Sequence, residues 1–240
     1  YSNIKVDKYF YNQLEDESKT IYKAFEANQE NLKTGNYKIE LGNSFSNLLK
    51  KEDGQEQLGK YYQSAFEAYN YDNPDVFYLD PNKMYLNIET TTSRNGNTYN
   101  VYINTGEQNN YFTDDFSSKE QVDTASQKIE KVKNNIIANK TGNAYDDIKM
   151  VHDYLVNNVE YDTSISQSNI YDIYGALVNK ECVCEGYAKA SQYLLNEAGL
   201  ENIIITGTAT NSDGKTENHA WNYVNIDEKW YAIDTTWDDP

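Results

Sequence analysis

Residues 181–188 read Glu181-Cys182-Val183-Cys184-Glu185-Gly186-Tyr187-Ala188, and the rest of the chain is best read outward from this stretch. From Cys184 onward, Ala188, Ser191, Leu195 and Ala198 recur at intervals of three and four, and Gly199 follows. That is the pattern of a helix closed by a residue that tolerates positive φ. Cys184 therefore opens a helix, where unpaired backbone N–H groups and the helix dipole favour thiolate over thiol. Its pKa is expected below the ordinary value of about 8.5. Downstream, Asn202 to Thr208 is rich in β-branched residues and reads as strand, and His219 to Ile226 and Lys229 to Asp234 read as two more strands meeting at Asp227-Glu228. With Asp227-Glu228 as a two-residue hairpin loop, Ile226 faces Lys229 and Trp221 faces Asp234. His219 then lies on the same face, diagonal to Asp234 and within side-chain reach.

A thiol nucleophile needs a base to take its proton, and that base needs an acceptor that fixes its tautomer and stabilises the imidazolium. Cys184, His219 and Asp234 can supply these roles. Taken singly, each has a blander reading: an inert small hydrophobe, a structural histidine and a turn residue. Their joint occurrence on a helix-strand-hairpin layout, in a chain with two histidines, raises the triad above the separate readings. A backbone N–H at the helix start could also donate to an oxyanion, although no second donor is identified.

Three segments resemble the signature blocks of the transglutaminase-like core superfamily: Glu181 to Ala188, then His219-Ala220-Trp221-Asn222, then Trp230 to Pro240, which includes Asp234-Thr235-Thr236-Trp237-Asp238-Asp239. The resemblance covers the last third of the chain and keeps the order Cys, His, Asp. It implies an α+β fold, a transglutaminase-like (papain-like) core in which the Cys-bearing helix packs on an antiparallel sheet. It also implies Cys184 as nucleophile, His219 as general base and acid, and Asp234 as orienting carboxylate. Papain-like proteases place their His ~130 residues or more beyond the Cys. Here the interval is 219 − 184 = 35. Two departures stand out. Cys182 occupies a position where many relatives have glycine, which makes the reactive thiol ambiguous, and the chain ends at Pro240 where relatives often continue with a further strand. The segment His152-Asp153-Tyr154-Leu155 resembles one that precedes the core in bacterial members, many of them secreted, so an extracellular or cell-wall-associated location is expected. His152 itself reads mainly as a structural residue of its helix.

Ahead of these blocks, Phe10, Leu14, Ile21 and Phe25 mark a helical region, and Leu58, Tyr61, Ala65 and Ala68 a second helix ending near Asn73-Pro74. Tyr85 to Ile88 and Tyr99 to Ile103 flank Asn95-Gly96 and predict a hairpin. Ser117 followed by Glu120 predicts a capping box, with Val122, Ala125, Ile129, Val132 and Ile136 as the stripe of the helix behind it. Ile148, Val151, Leu155 and Val159 mark another helix, and an irregular stretch follows from Tyr161 to Tyr174. The expected division is residues 1–116 as a helical and β-hairpin supporting region and residues 117–240 as the catalytic core.

The 240 residues carry 21 basic and 38 acidic side chains, a net charge of −17. Such a field repels phosphate backbones, so nucleic acid is excluded as a partner. With 23 Tyr, 7 Phe and 3 Trp, the core must be built largely from amphipathic rings. No apolar run approaches the ~20 residues of a membrane span. The chain opens at Tyr1 without an initiator Met or an apolar leader, which reads as a processed product or a cloned segment. No EF-hand pattern and no Cys/His metal spacing is present, so no cofactor and no metal, calcium included, is expected. Trp221, Trp230 and Trp237 read mainly as core, with Trp221 a candidate substrate-binding residue beside the site.

The expected activity is thiol-dependent acyl transfer on peptide or side-chain amide bonds of a protein or peptide substrate. Hydrolysis is favoured because Ala209 to Asn218, leading into His219, reads as a mobile polar loop open to water. Cross-linking by an attacking amine is the rival reaction, and a noncatalytic surface module that keeps the fold is the rival class.

Overall fold

Aromatic rings hold together the unit formed by Lys8–Asn73 and Tyr78–Val122. The computed structural model describes residues 6–165 and 167–240. In this first unit α1 (Asp16–Ala27), α2 (Gln29–Leu32), β1 (Ile39–Gly42), α3 (Ser46–Leu49), α4 (Gly54–Asp72), β2 (Tyr85–Ser93) and β3 (Gly96–Asn104) follow in order. Phe25 of α1 stacks on Tyr69 of α4 at 5.4 Å between centroids and meets Phe66 edge-on at 5.7 Å, which fixes the two helices to each other. Near the end of α4, the Asp72 carboxylate accepts from the Phe10 and Tyr11 N–H groups, each at 3.0 Å, and from the Tyr22 hydroxyl at 2.9 Å. Burial and this carboxylate push the Tyr22 phenol far above its ordinary value. The β2–β3 hairpin forms as expected, with Arg94 and Asn95 as the loop and Gly96 at φ +107°. β1 adds to the other edge of β3, giving the antiparallel order β1-β3-β2.

The helix α5 (Lys119–Ile137) buries Val122, Ala125, Ile129 and Ile136 of the expected stripe and leaves Val132 half-buried. Its cap lies one residue further on than Ser117-x-x-Glu120. Ser118 Oγ accepts from the Gln121 N–H at 3.3 Å, and Gln121 Oε1 accepts from the Ser117 N–H at 2.7 Å. Ser118-x-x-Gln121 makes the forward half of a capping box, and the Gln121 amide oxygen reaches past Ser118 to the N–H of Ser117.

Asp123–Pro240 with Pro74–Phe77 make the second unit. After α5 come α6 (Ala144–Asn158), β4 (Glu160–Tyr161), β5 (Glu181–Cys182), α7 (Cys184–Glu197), β6 (Asn202–Thr210), β7 (Thr216–Ile226) and β8 (Lys229–Ile233). Its fold is α+β. α7 buries Tyr187, Ala188, Ala190, Ser191, Leu194 and Leu195 and packs against β6, β7 and α6. A helix apolar on so many sides belongs in a core. The stretch read as irregular begins at the end of β4, whose Glu160 and Tyr161 pair in parallel with Glu181 and Cys182 of β5, beyond the stretch.

β6, β7 and β8 form an antiparallel sheet with β7 in the centre. Ile226 pairs with Lys229 across Asp227 and Glu228, both at positive φ (51° and 65°), so the expected two-residue hairpin is present. The segment Ala209 to Asn218 is not a mobile loop. β6 and β7 stay paired out to Thr210↔Thr216, and Asn211 closes the short connection by accepting the Asp213 and Lys215 N–H groups, each at 3.0 Å. Thr210 and Thr216 share a hydroxyl hydrogen bond at 2.8 Å. Composition misreads such a polar hairpin because the backbone ladder needs no apolar side chain. Among the described residues no helix is long and apolar enough to cross a membrane.

Candidate active site

The lead-in to α7 is clamped on two sides. Tyr161 of β4 pairs with Cys182, the Asp162 N–H donates to the Cys182 carbonyl at 3.0 Å, and the Val183 N–H donates to the Ile170 carbonyl at 3.0 Å. Val183 is extended, so the helix starts at Cys184. A Cβ on Gly186 would lie 2.6 Å from Cys182 Cβ and 2.8 Å from the Ile170 carbonyl oxygen, so glycine lets the first turn of α7 rest directly on Cys182.

Cys184 is partly exposed, whereas Cys182 is fully buried. Burial pushes the Cys182 thiol well above its ordinary value and leaves it inert. Burial also pushes the Cys184 thiol up, opposed by the backbone N–H groups of Ala220 and Glu185 and reinforced by the charges of Glu185 and Asp234. The expectation of a thiol lowered by the helix start is thereby corrected: desolvation outweighs the N–H groups, so the sulfur rests as a thiol and needs a base. The Ala220 N–H reaches it because the β7–β8 ladder stops at Asn222↔Ile233.

His219, in β7, is buried, and its Nε2 lies 2.6 Å from Asp234 Oδ2. The indoles of Trp221 and Trp237 both stack on the imidazole, at 5.6 Å and 5.0 Å between centroids and within 23° of parallel. Asp234 follows directly on β8, and its other oxygen accepts the Trp237 N–H at 3.2 Å. His219 and Asp234 are thus in contact, and Cys184 lies against the residue after His219. With Nε2 turned to Asp234, Nδ1 is the ring nitrogen left for a thiol proton.

Asn222, the other residue that could have oriented His219, is committed elsewhere: its Nδ2 donates to the Ala188 carbonyl at 3.0 Å and ties β7 to α7. Trp221 is half-buried, and the exposed indole at the site is Trp237, at 55%. The sequence places Trp237 in the core, and the structure leaves it exposed. Its place three residues after Asp234, in a turn closed on that carboxylate, is the signal that could have marked it. Among the described residues no group of three or more His, Cys, Asp or Glu is arranged to hold a metal ion.

The model of the transglutaminase-like superfamily matches residues 130–235, the segment that carries Cys184 and His219 together with Asp234. Residues 130–235 are similar to a transglutaminase-like domain. The chain is also similar to the kyphoscoliosis peptidase of Mus musculus, 23% identical over an alignment of 118 residues that covers 43% of this chain and 18% of that protein. The chain therefore spans less than a fifth of that relative's length. Among solved structures, a TGase aligns at 18% identity and a TM-score of 0.40, over 65% of this chain and 45% of its own. The periplasmic domain of TgpA from Pseudomonas aeruginosa aligns at 11% identity and a TM-score of 0.36, over 65% of this chain and 63% of its own.

Proposed function

We propose that this protein is a thiol-dependent acyl-transfer enzyme in which Cys184 is the nucleophile, His219 the general base and acid, and Asp234 the orienting carboxylate. The observation that carries the reading is the 2.6 Å contact between His219 Nε2 and Asp234 Oδ2, beside a partly exposed thiol at the start of a helix. Cys184 passes its proton to His219 Nδ1 as the sulfur attacks a peptide or side-chain amide carbonyl. The tetrahedral oxyanion forms beside the start of α7, where the first turn of a helix presents N–H groups without intrahelical partners. Collapse expels the amine, which takes the proton from His219, and leaves a thioester. Water, deprotonated by His219, then attacks the thioester and regenerates the thiol.

Water is favoured over an amine because the thiol is partly exposed and Asp234 is only partly covered, so solvent reaches the reacting atoms. The substrate class is a protein or peptide, and a net charge of −17 steers cationic segments toward the protein. Trp221 is assigned a secondary substrate contact, residues 117–240 the catalytic core, and residues 1–116 a supporting, substrate-presenting role. The location is extracellular or cell-wall-associated, in line with the resemblance of His152-Asp153-Tyr154-Leu155 to bacterial secreted relatives.

A glutamine-containing peptide library, offered with and without a labelled primary amine and followed by mass, tests the reaction. The expected product is free acid, lost in Cys184→Ala and largely kept in Cys182→Ser. Amine incorporation that outpaces acid release would make the protein a cross-linking transglutaminase. No product of either kind, with Cys184 alkylated by iodoacetamide no faster than a denatured-state thiol, would leave a noncatalytic module.

A further inference from the structure

His152 has no part in the chemistry above, yet its two ring nitrogens are both engaged. Nδ1 lies 3.0 Å from Asp153 Oδ1, its neighbour on α6, and Nε2 lies 3.1 Å from Asp238 Oδ2, 86 residues further along the chain. Asp153 is itself paired with Lys149 on the same helix. Asp238 sits in the short segment that follows Asp234. The Trp237 N–H donates to Asp234 Oδ1, the Asp238 N–H donates to the Asp234 carbonyl at 3.1 Å, and the Tyr187 hydroxyl donates to Asp239 Oδ2 at 2.6 Å. The Trp237 indole, stacked on the imidazole, belongs to this strap.

We propose that His152 is a positioning residue which, through its hydrogen bond to Asp238, holds the Trp237 indole against the His219 imidazole. The proposal rests on the catalytic reading of His219. The physical argument is that a ring lying over the imidazole does two things. Its π face favours the imidazolium that forms when Cys184 gives up its proton. It also keeps water from competing for the His219–Asp234 bond, which weakens as the local dielectric rises. Trp237 is itself 55% exposed and sits in the turn after β8, so the place of its indole depends on how that turn is held. Asp238 and Asp239 are anchored from two different helices, α6 and α7, and the α6 anchor is the one adjacent to the indole.

The test uses the whole chain labelled with ¹³C at histidine, in which only two imidazole Cε1–H signals exist. In the unaltered protein the His219 signal is displaced from the free-imidazole position by the indole ring currents. His152→Leu and Asp238→Ala are each expected to return it toward that position and to slow iodoacetamide alkylation of Cys184 roughly tenfold, the size of one lost aromatic contact to a cation. His152→Gln, which still presents a donor to Asp238, is expected to keep the displaced signal and most of the rate. An unmoved His219 signal in both His152→Leu and Asp238→Ala overturns the proposal, as does an equal loss in His152→Gln and His152→Leu. Asp238 is exposed, so Asp238→Ala decides the matter if His152→Leu does not fold. If Cys184 alkylation is independent of His219 in the unaltered protein, the catalytic reading fails, and the position of the His219 signal still reports on the strap.

Discussion

Asp234 holds His219 with one carboxylate oxygen, at 2.6 Å from Nε2, and holds the Trp237 N–H with the other, at 3.2 Å. One side chain thus orients the imidazole and closes the turn that carries the indole stacked on it. Asp234→Asn keeps the shape and offers an oxygen to only one of the two donors. Turnover is expected to fall by a factor approaching the ~10⁴-fold that the same change causes in serine-protease triads. The thermal midpoint is expected to move little, and unchanged kcat/KM would show that His219 is oriented by another group.

Gly186→Ala tests the clamp beneath the nucleophile. Its new methyl would lie 2.6 Å from Cys182 Cβ, 2.8 Å from the Ile170 carbonyl oxygen and 2.9 Å from Cys182 Sγ, and two of these three atoms belong to a buried side chain. Overpacking of this kind costs about 1–3 kcal/mol. The expected result is a lower urea midpoint together with slower alkylation of Cys184, because the first turn of α7 must shift to make room. Alkylation unchanged at a lowered midpoint would place the adjustment in Cys182 alone.

The pH dependence of stability has an identifiable source in Asp172. Burial pushes its carboxyl up to about 7 from an ordinary 3.8, against the opposing pull of the Gly175 N–H, Lys189, Asn169 and the Tyr174 N–H. The folded chain therefore binds a proton that the unfolded chain has released between these two values. This contribution to stability is fully present below 3.8 and is lost as pH rises through about 7. Its slope is at most about 1.4 kcal/mol per pH unit. Asp172→Asn cannot titrate, so urea midpoints measured across this window should fall less with rising pH in the variant than in the unaltered protein. Parallel curves for the two would assign the dependence to other groups.

Glu228 sits at φ +65° in the turn between β7 and β8, next to Asp227 at φ +51°. A left-handed residue with a Cβ costs about 1–2 kcal/mol, which glycine does not incur. Glu228→Gly is therefore expected to raise the thermal midpoint, partly offset by the greater entropy of glycine in the unfolded chain. No change in activity is expected, since the turn lies at the end of the hairpin remote from His219. A lowered midpoint would mean that the glutamate side chain makes a contribution that its backbone conformation conceals.

Much of the second unit is legible in the residue order. The intervals from Cys184 to Ala198 define α7 and put the cysteine at its first position, because helix periodicity and a terminal glycine act over a few residues. Alternation along His219–Ile226 and Lys229–Asp234 defines two strands, and a two-residue loop leaves one register in which His219 can reach Asp234. These signals are local, and the backbone obeys them. What depends on groups distant in sequence could not be read in this way. The direction of the Cys184 shift is set by burial of the thiol, which outweighs the opposing N–H from Ala220, 36 residues on. The Ala209–Asn218 segment is a paired hairpin because two polar strands found each other's backbone, which composition does not register. His152, read as a helix residue, acquires Asp238 as a partner, and Trp237, read as core, lies over His219 with its outer face in water. Desolvation and contacts between elements are properties of the assembled fold, and only the tertiary structure decides them.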